Sequence, residues 1–318
     1  MKKVFITRKI PQAAVDEIRK ITSVKMSELR RDLTESELFT AAKTSEILVP
    51  TIANKITETF FSTCPSIKFI ANYGVGVDHI DLLSAKKNNV LVSNTPDVLT
   101  ETTANLIFSL ILALTRRVVE GDRIVRKGDF HGIFPLFMLG VDIRDKILGI
   151  FGLGRIGAAL AEKARFFGMN IIYASRTRNI SAENKLAARF VTFDELLCES
   201  DILSVNTPLT PQTKGVFNLR TFSKMKRTAY FINAARGPIH IESDLSRALK
   251  KGLIAGAALD VYENEPLINR DLFKHENIIL SPHIGSSSFE VRKKMGFIVA
   301  ENIKAYIAGE EPPHLVKL

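Results

Sequence analysis

Apolar residues in this sequence fall into short runs separated by longer amphipathic segments. The runs at 3–7 and 147–151 are mostly apolar, which is typical of strands buried on both faces of a parallel sheet. The segment from Pro11 to Ile21 has apolar residues at helical spacing and a proline at its start, as a helix would. Strands that alternate with helices in this way indicate βαβ units and an α/β fold.

The apolar runs predict two groups of strands. The first group covers residues 3–7, 46–49, 67–70 and 90–92. The second group is longer and more regular, and it covers residues 147–151, 170–174, 202–206, 229–233, 254–259 and 278–280. Helices are predicted at 11–21, 100–119, 155–168, 194–199, 243–251 and 286–308. The second group has the pattern of a doubly wound parallel sheet of the Rossmann type.

This grouping predicts two domains, one of which is discontinuous. The first group of strands ends near Asn94, and the apolar face of the predicted helix 286–308 can pack back on it. We therefore expect a flavodoxin-like α/β substrate domain made of residues 1–96 and 285–318. Residues 97–284 are expected to form an inserted dinucleotide-binding Rossmann domain.

Composition and charge point to no nucleic acid, membrane or metal. Hydrophobic residues make up 46% of the chain, and its strongest apolar run, at 106–114, is shorter than the roughly 20 residues of a bilayer-spanning helix. The net charge of +10 is spread over both predicted domains, so no basic patch indicates nucleic acid. Cys64 and Cys198 are expected to be buried free thiols. With no signal peptide in the amino-terminal residues, we expect a cytoplasmic protein.

A glycine-rich turn follows the predicted strand 147–151 and opens the predicted helix 155–168. It reads Gly152-Leu153-Gly154-Arg155-Ile156-Gly157, which is the spacing of a dinucleotide-binding turn in its required context. The first glycine allows the tight turn, the second lets a pyrophosphate approach the backbone, and the third lets the helix pack on the strand. The positive end of the helix then faces the phosphates. The turn therefore predicts a dinucleotide cofactor.

The segment after the next predicted strand indicates which dinucleotide binds. A site for NAD usually places Asp or Glu there to hold the ribose 2′-hydroxyl, but this window contains no acidic residue. Ser175, Arg176 and Thr177 stand there instead, followed by Arg178. Guanidinium and hydroxyl donors suit a 2′-phosphate, which a carboxylate would repel. We therefore expect a preference for NADP(H), with NAD(H) as the alternative.

Two residues after later strands suit the chemistry of a hydroxy-acid dehydrogenase. His283 follows the predicted strand 278–280, and ligands of open α/β sheets bind outside the carboxyl ends of strands. Histidine suits proton transfer to and from a carbonyl oxygen near neutral pH. Arg236 follows the predicted strand 229–233, and its guanidinium can bind a substrate carboxylate with two hydrogen bonds.

The spacing alone leaves the carboxylate partner of His283 open. Glu263 and Glu265 both follow the predicted strand before them, and a carboxylate beside an imidazole stabilises the imidazolium. Asp260, nearer to the end of that strand, is a candidate for the nicotinamide carboxamide. The other five histidines are expected to be satisfied or surface side chains, and His240 is the least secure of these assignments.

Taken together, these motifs resemble the D-isomer-specific 2-hydroxyacid dehydrogenase family, and most closely its glyoxylate/hydroxypyruvate reductase branch. The resemblance covers nearly the whole chain. The segments that carry it are Asn72 to Asp81, Asn94 to Thr100, Leu148 to Gly157, Thr207 to Thr210, Ile232 to Pro238, Leu259 to Pro266 and Ser281 to Ser286. It implies a split substrate domain and an inserted Rossmann domain that close over a cleft. It also implies a homodimer, with the region 100–140 supplying much of the interface.

The resemblance implies that Arg236, Glu265 and His283 are the catalytic residues. It favours Glu265 over Glu263 because the family motif has a proline after the glutamate, as Pro266 follows here. His283 would protonate the keto oxygen as hydride arrives from the nicotinamide.

Other residues are expected to bind the substrate and the cofactor. The resemblance implies that the backbone of Val75 and Gly76 helps Arg236 to hold the substrate carboxylate. It assigns the phosphates to Thr103, the pyrophosphate to Arg155 and the nicotinamide amide to Asp260. The full set of expected cofactor-binding residues is Thr103, Gly152, Gly154, Arg155, Ile156, Gly157, Ser175, Arg176, Thr177, Thr207, Pro208, Ala234, Asp260 and Gly285.

One departure from the family concerns the stretch 121–140, which we expect to be an irregular arm or loop. Family members usually carry tryptophan in its second half, and this chain has none. Phe130, Phe134, Phe137 and Met138 stand there instead.

The expected function is NADPH-dependent reduction of small 2-keto acids, such as glyoxylate and hydroxypyruvate, to D-2-hydroxy acids. Another 2-keto acid, such as 2-ketogluconate, is the alternative within this class. A dinucleotide-sensing binding protein similar to a corepressor is the alternative from another class, but the chain keeps all three catalytic residues.

Overall fold

The computed structural model describes residues 2–317 and divides into two compact units. Met1–Leu99 and Ser286–Leu318 make up unit 1, and Thr100–Gly285 make up unit 2. The domain boundaries expected from the sequence, after residue 96 and before residue 285, lie close to the bounds of these two units. Both units contain a parallel sheet with helices along the chain between its strands, so the predicted α/β class is confirmed.

Strands and helices alternate along most of the chain. The strands are β1 Lys3–Ile6, β2 Ser23–Met26, β3 Ile47–Val49, β4 Phe69–Ala71, β5 Leu91–Ser93, β6 Ile147–Phe151, β7 Asn170–Ala174, β8 Arg189–Phe190, β9 Ile202–Val205, β10 Tyr230–Asn233, β11 Gly256–Leu259 and β12 Ile278–Leu280. The α-helices are α1 Gln12–Arg19, α2 Glu35–Ala42, α3 Glu58–Thr63, α4 Leu82–Lys87, α5 Thr100–Thr115, α6 Val118–Lys127, α7 Arg155–Phe166, α8 Ile180–Leu186, α9 Phe193–Glu199, α10 Leu219–Phe222, α11 Glu242–Lys250 and α12 Phe289–Ala308. Short 3₁₀ helices cover Gly237–Ile239 and Arg270–Lys274.

In unit 1 the strand order is β2-β1-β3-β4-β5. The carboxyl-terminal helix α12 packs on α1 in this unit, as expected for a discontinuous domain. Gly296 permits the contact, because a Cβ atom there would lie 2.6 Å from the Cβ of Ala14. Met295 and Val299 on either side of it are buried in the same core.

In unit 2 the strand order is β12-β11-β10-β9-β6-β7-β8. The sheet has a hydrophobic core on each face: Leu148 and Ile150 belong to one, and Leu203 and Val205 to the other. The order reverses at β6, since β7 and β8 lie on one side of it and β9 to β12 on the other. Ligands of such sheets bind at the carboxyl ends of the strands beside the reversal.

The helix predicted at 100–119 is broken in the structure. Helix α5 ends at Thr115, and α6 begins at Val118 after Arg117 takes a left-handed backbone conformation with φ of 54°. No glycine or proline marks this break, so the apolar periodicity alone predicted one helix. The prediction that residues 121–140 are irregular is therefore wrong for residues 121–127, which belong to α6.

Several short elements were absent from the prediction. Strands β2 and β8 are partly or wholly exposed and therefore lack a continuous apolar run. Helices α2, α3, α4, α8 and α10 are eight residues or fewer, too short for a clear period.

Two other expectations were tested by the structure. Cys64 is buried as expected, but Cys198 on α9 is exposed.

Among residues 2–317, no single helix has the length and apolar character to cross a membrane. Helices α5 and α6 meet those criteria only as a pair, and the pair is bent by 60°.

Candidate active site

The three predicted catalytic residues follow three neighbouring strands of unit 2. Arg236 follows β10, Glu265 follows β11 and His283 follows β12, and these strands lie side by side in the sheet. Because all strands are parallel, their carboxyl ends meet at one edge. The fold therefore delivers a guanidinium, a carboxylate and an imidazole to the same edge of unit 2.

His283 and Glu265 form a direct pair. The Nδ1 atom of His283 lies 2.7 Å from Oε2 of Glu265, and the other carboxylate oxygen accepts a hydrogen bond of 3.0 Å from the backbone N–H of Tyr262. Glu263 instead accepts a hydrogen bond from the backbone N–H of Glu242. The geometry thus brings Glu265, and not Glu263, to the imidazole. Since the carboxylate engages Nδ1, the Nε2 atom is available for proton transfer.

The buried carboxylate of Asp260 holds the backbone around His283. One oxygen accepts hydrogen bonds from the Ser281 hydroxyl at 2.6 Å and the Ile284 N–H at 2.8 Å, and the other accepts the Gly285 N–H at 2.8 Å. Burial raises the pKa of Asp260, and these three hydrogen bonds oppose the rise. His283 itself has a left-handed backbone, with φ of 53°, which such bonds can stabilise. Asp260 therefore positions His283, while its expected contact with nicotinamide stays a prediction.

A second buried polar group shapes the turn that carries Arg236. The side-chain amide of Asn233 donates hydrogen bonds to the carbonyl of Arg236 at 2.9 Å and to Nδ1 of His240 at 3.0 Å. Its oxygen accepts the N–H of Ala235 at 3.0 Å. A Cβ atom at Gly237 would lie 1.8 Å from the carbonyl oxygen of Tyr262, so only glycine fits there. The turn is therefore rigidly packed against the segment that leads to Glu265.

His240 is neutral in this arrangement. It is 1% exposed, and its Nδ1 accepts a hydrogen bond, which leaves the proton on Nε2. Burial lowers the pKa of His240 to about 4. No partner for Nε2 occurs within residues 2–317. His240 is thus a buried histidine beside Arg236 whose ring is only half satisfied, so the expectation of a satisfied or surface histidine is wrong for this residue.

The glycine-rich turn after β6 fits a pyrophosphate. A Cβ atom at Gly152 would lie 2.9 Å from the carbonyl oxygen of Asn206, and one at Gly157 would lie 2.4 Å from that of Gly152. At Gly154, by contrast, a Cβ atom would meet no heavy atom within 4 Å. Packing therefore requires the first and third glycines, whereas the second faces open space, as a site for close approach of a ligand would.

Helix α7 begins beside this open space. Gly154 is its N-cap residue, and no side chain caps the helix. The first N–H groups and the positive end of a helix of 12 residues therefore point to the turn. Arg155 and Ile156 are the first two residues of the helix, and Ile156 packs against the core.

The other expected cofactor residues of unit 2 lie at the same edge. Ser175, Arg176 and Thr177 follow β7, Thr207 and Pro208 follow β9, and Ala234 follows β10. Thr103 on α5 lies beside Gly285: a Cβ atom at Gly285 would be 3.4 Å from the Thr103 side chain. Val75 and Gly76 belong to unit 1, where they follow β4, and their contact with substrate stays a prediction.

Comparisons with known proteins show which family the chain belongs to. The family described as "D-isomer specific 2-hydroxyacid dehydrogenase, NAD binding domain" matches residues 108–285. A glyoxylate reductase of Thermococcus litoralis is 43% identical over 99% of this chain and 96% of its own. The chain belongs to the D-isomer-specific 2-hydroxyacid dehydrogenase family.

Solved structures of similar proteins have the same fold. The TT0316 protein of Thermus thermophilus is 38% identical, with a TM-score of 0.92 over 99% of this chain and 100% of its own. An NADPH-dependent glyoxylate/hydroxypyruvate reductase of Sinorhizobium meliloti, solved with NADP and malonate, is 30% identical. Its TM-score is 0.86 over 99% of this chain and 96% of its own.

Membership of the 2-hydroxyacid dehydrogenase family establishes the general chemistry. The protein is an oxidoreductase that uses a nicotinamide dinucleotide and a small 2-keto acid or 2-hydroxy acid. Its curated relatives include glyoxylate reductases of Thermococcus litoralis and Pyrococcus horikoshii.

Some residues that shape this dehydrogenase site were not singled out from the sequence. Asn233 is the last residue of β10, three positions before Arg236, and this place at a strand end is the one signal that could have marked it. Tyr173 and Glu183 contact each other beside the expected cofactor residues after β7, but they are ten positions apart. Only the folded chain shows that they meet.

We predict that His240 makes folding stability pH-dependent. A histidine whose pKa is lowered on folding binds fewer protons when folded, so stability is present above the unfolded pKa of about 6.5 and falls as the pH drops towards about 4. The loss from this residue is up to about 3 kcal/mol. In His240→Leu the fall in Tm between pH 7 and pH 4.5 should be smaller than in the wild type. The exposed His131→Leu is the control, and an unchanged fall in His240→Leu would contradict the prediction.

Proposed function

We propose that this protein reduces glyoxylate, hydroxypyruvate and similar small 2-keto acids to D-2-hydroxy acids with NADPH as the electron donor. The observation that carries the proposal is the His283–Glu265 pair at the ends of β11 and β12, next to Arg236 at the end of β10. This set contains a proton donor, a group that stabilises its charged form and a cation for a carboxylate. A 2-keto acid needs all three.

Each side chain has a defined task in this reaction. When bound, the reduced nicotinamide supplies a hydride to the keto carbon. His283 donates the Nε2 proton to the keto oxygen, so that a hydride and a proton together convert the carbonyl group to an alcohol. Glu265 accepts the hydrogen bond from Nδ1, which orients the ring and stabilises the imidazolium before transfer. Arg236 binds the substrate carboxylate and thereby aligns the neighbouring carbonyl.

The preference for NADPH is supported by the segment after β7. Arg176 is exposed, and Ser175 lies against the glycine-rich turn, where its hydroxyl oxygen accepts the N–H of Leu153 at 2.8 Å. No acidic residue occupies positions 175–178. The similar reductase of Sinorhizobium meliloti is NADPH-dependent. A 2′-phosphate would find a guanidinium and hydroxyl groups in this segment, and no carboxylate of the segment would repel it.

We also propose that the protein is a homodimer. Helix α6 has no buried residue, although Val118 and Val125 are apolar. In the segment after it, Ile133 is 91% and Leu136 is 83% exposed. Apolar side chains concentrated in one region indicate a surface that is covered in solution. A second copy of this chain suits it, since the same surface then covers itself around a twofold axis.

The first prediction concerns the proton donor. Replacing His283 by Ala should lower kcat for glyoxylate by about 10²–10⁴-fold, because the keto oxygen loses its general acid. Glu265→Gln should lower kcat less, because the imidazole stays in place without a carboxylate beside it. NADPH oxidation measured with glyoxylate, hydroxypyruvate and 2-ketogluconate gives both results and the order of substrates. Full activity of His283→Ala would overturn the mechanism.

The second prediction concerns cofactor preference. Arg176→Ala should raise KM for NADPH by at least about tenfold and leave KM for NADH nearly unchanged, since only NADPH carries the 2′-phosphate. Steady-state rates with each cofactor give both constants. An equal loss for NADPH and NADH would exclude the proposed role of Arg176.

The third prediction concerns assembly. The double substitution Ile133→Glu and Leu136→Glu should convert a dimer into monomers, because charges would be buried in the interface. Light scattering coupled to gel filtration measures the mass directly. Leu83→Glu, on an equally exposed leucine of unit 1, is the control. A monomeric wild type, or a double variant that stays dimeric, would contradict the proposed interface.

A further inference from the structure

The two arginines after β7 differ in their surroundings. Arg178 forms two hydrogen bonds with the carboxylate of Glu183, of 3.0 Å from Nε and 2.6 Å from Nη2. Its guanidinium also lies over the ring of Phe190, 5.4 Å from the ring centre. Arg176 is exposed and has no acidic partner within residues 2–317. Of the two charges, only that of Arg178 is therefore neutralised by the protein itself.

The partner of Arg178 belongs to a small buried cluster. The side chain of Glu183 is 13% exposed, and it also accepts a hydrogen bond from the hydroxyl of Tyr173, which is fully buried. The Tyr173 oxygen in turn accepts the backbone N–H of Asn179 at 2.9 Å. Arg178 and Tyr173 hold the pKa of Glu183 at about 2, so the carboxylate stays ionised. The cluster thus ties the carboxyl end of the segment to β7 and α8.

The other contacts of the segment lead to the glycine-rich turn. The N–H of Leu153 donates to the Ser175 hydroxyl at 2.8 Å, and the Asn179 amide donates to the carbonyl of Leu153 at 3.1 Å. Residues 175–179 are therefore attached at both ends, and the side chains of Arg176 and Thr177 between these attachments are exposed.

We propose that Glu183 is a positioning residue for cofactor selection: its ion pair with Arg178 holds the segment 175–178 in the shape in which Arg176 binds the 2′-phosphate, and Arg178 is not itself a phosphate ligand. This inference rests on the proposed use of NADPH. It goes beyond that proposal by naming the residue that arranges the segment and by separating the roles of Arg176 and Arg178.

Electrostatics favours this division of roles. If Arg178 left Glu183 to bind a phosphate, an ionised carboxylate would lose its cation close to a second anion. That loss is unfavourable, because Glu183 would give up two charge-assisted hydrogen bonds to the guanidinium. Arg176 can bind the phosphate without breaking any contact of this kind. The Arg178–Glu183 pair is therefore better suited to holding the segment 175–178 in place than to binding the phosphate.

The test uses two adenine nucleotides that differ only in the 2′-phosphate, adenosine 2′,5′-bisphosphate and 5′-AMP. Calorimetric titration of the full chain measures binding directly, without catalysis. In Glu183→Gln we expect adenosine 2′,5′-bisphosphate to bind about 5–10-fold more weakly, with 5′-AMP changed by less than about twofold. If Arg178 were a ligand restrained by Glu183, the same substitution would release it and strengthen binding of the bisphosphate. The sign of the change thus separates the two roles.

Two further variants test the coupling. Arg178→Met keeps most of the packing over Phe190 but removes the ion pair, and it should weaken binding of the bisphosphate as much as Glu183→Gln does. In an Arg176→Ala background, Glu183→Gln should cause no additional loss, because Arg176 is the group that Glu183 positions. Additive losses would show that Glu183 acts independently of Arg176, which would overturn the proposal. Lys185→Gln, an exposed cation on α8, is the control for a general charge effect.

The outcomes separate this inference from the proposed function. If the wild type binds adenosine 2′,5′-bisphosphate no more tightly than 5′-AMP, the NADPH preference fails and the inference fails with it. If the wild type prefers the bisphosphate and Arg176→Ala abolishes the preference, the NADPH proposal stands. An unchanged or stronger affinity in Glu183→Gln would then overturn the role of Glu183 alone. The unchanged binding of 5′-AMP shows in each case that the Rossmann domain is folded.

Discussion

The buried carboxylate of Asp260 is the interaction on which the catalytic edge depends. A charge away from water is tolerated only when its oxygens are hydrogen-bonded. Here the donors are the Ser281 hydroxyl and the backbone N–H groups of Ile284 and Gly285, on both sides of His283. The hydrogen bonds that the Asp260 carboxylate requires therefore also hold the backbone of His283, which carries the imidazole just after β12. The same hydrogen bonds flank His283, whose backbone is left-handed.

Similar polar contacts organise the neighbouring strand ends. Asn233 braces the turn that carries Arg236, and the Tyr262 N–H orients Glu265. Each of these donors belongs to unit 2 and lies at or just after the end of a strand of one parallel sheet. The catalytic groups are thus arranged by hydrogen bonds from backbone N–H groups and from buried side chains. Such preorganisation is what proton transfer and carboxylate binding require.

At the part of the sheet edge expected to bind the cofactor, glycines let one backbone segment pack directly on another. Gly152 and Gly157 lie so close to carbonyl oxygens that no other residue fits, while Gly154 faces open space. The segment after β7 is attached to the same turn through Leu153. The groups expected to contact the pyrophosphate and the ribose are therefore linked within one network, so a change in one affects the other.

Much of this could be predicted from the sequence, because the signals involved are local. Continuous apolar runs predicted β6, β7 and β12 with the bounds that the structure has, since strands buried on both faces need no polar residue. The glycine spacing predicted the cofactor turn, and positions just past strand ends marked Arg236 and His283 as catalytic candidates, whereas the choice of Glu265 came from the family resemblance. Partly exposed strands such as β2 were missed because they carry no such run.

Tertiary structure decided the remaining points, because they depend on contacts between distant residues. The spacing left Glu263 and Glu265 open and the family resemblance favoured Glu265; in the structure Glu265 meets the imidazole, whereas Glu263 accepts the backbone N–H of Glu242. The left-handed Arg117 divides a helix that the apolar periodicity joined. Arg176 and Arg178 both follow β7, but Glu183 pairs with Arg178. The sequence by itself determined which groups stand at the sheet edge, whereas burial and hydrogen-bond partners determined what each of them can do there.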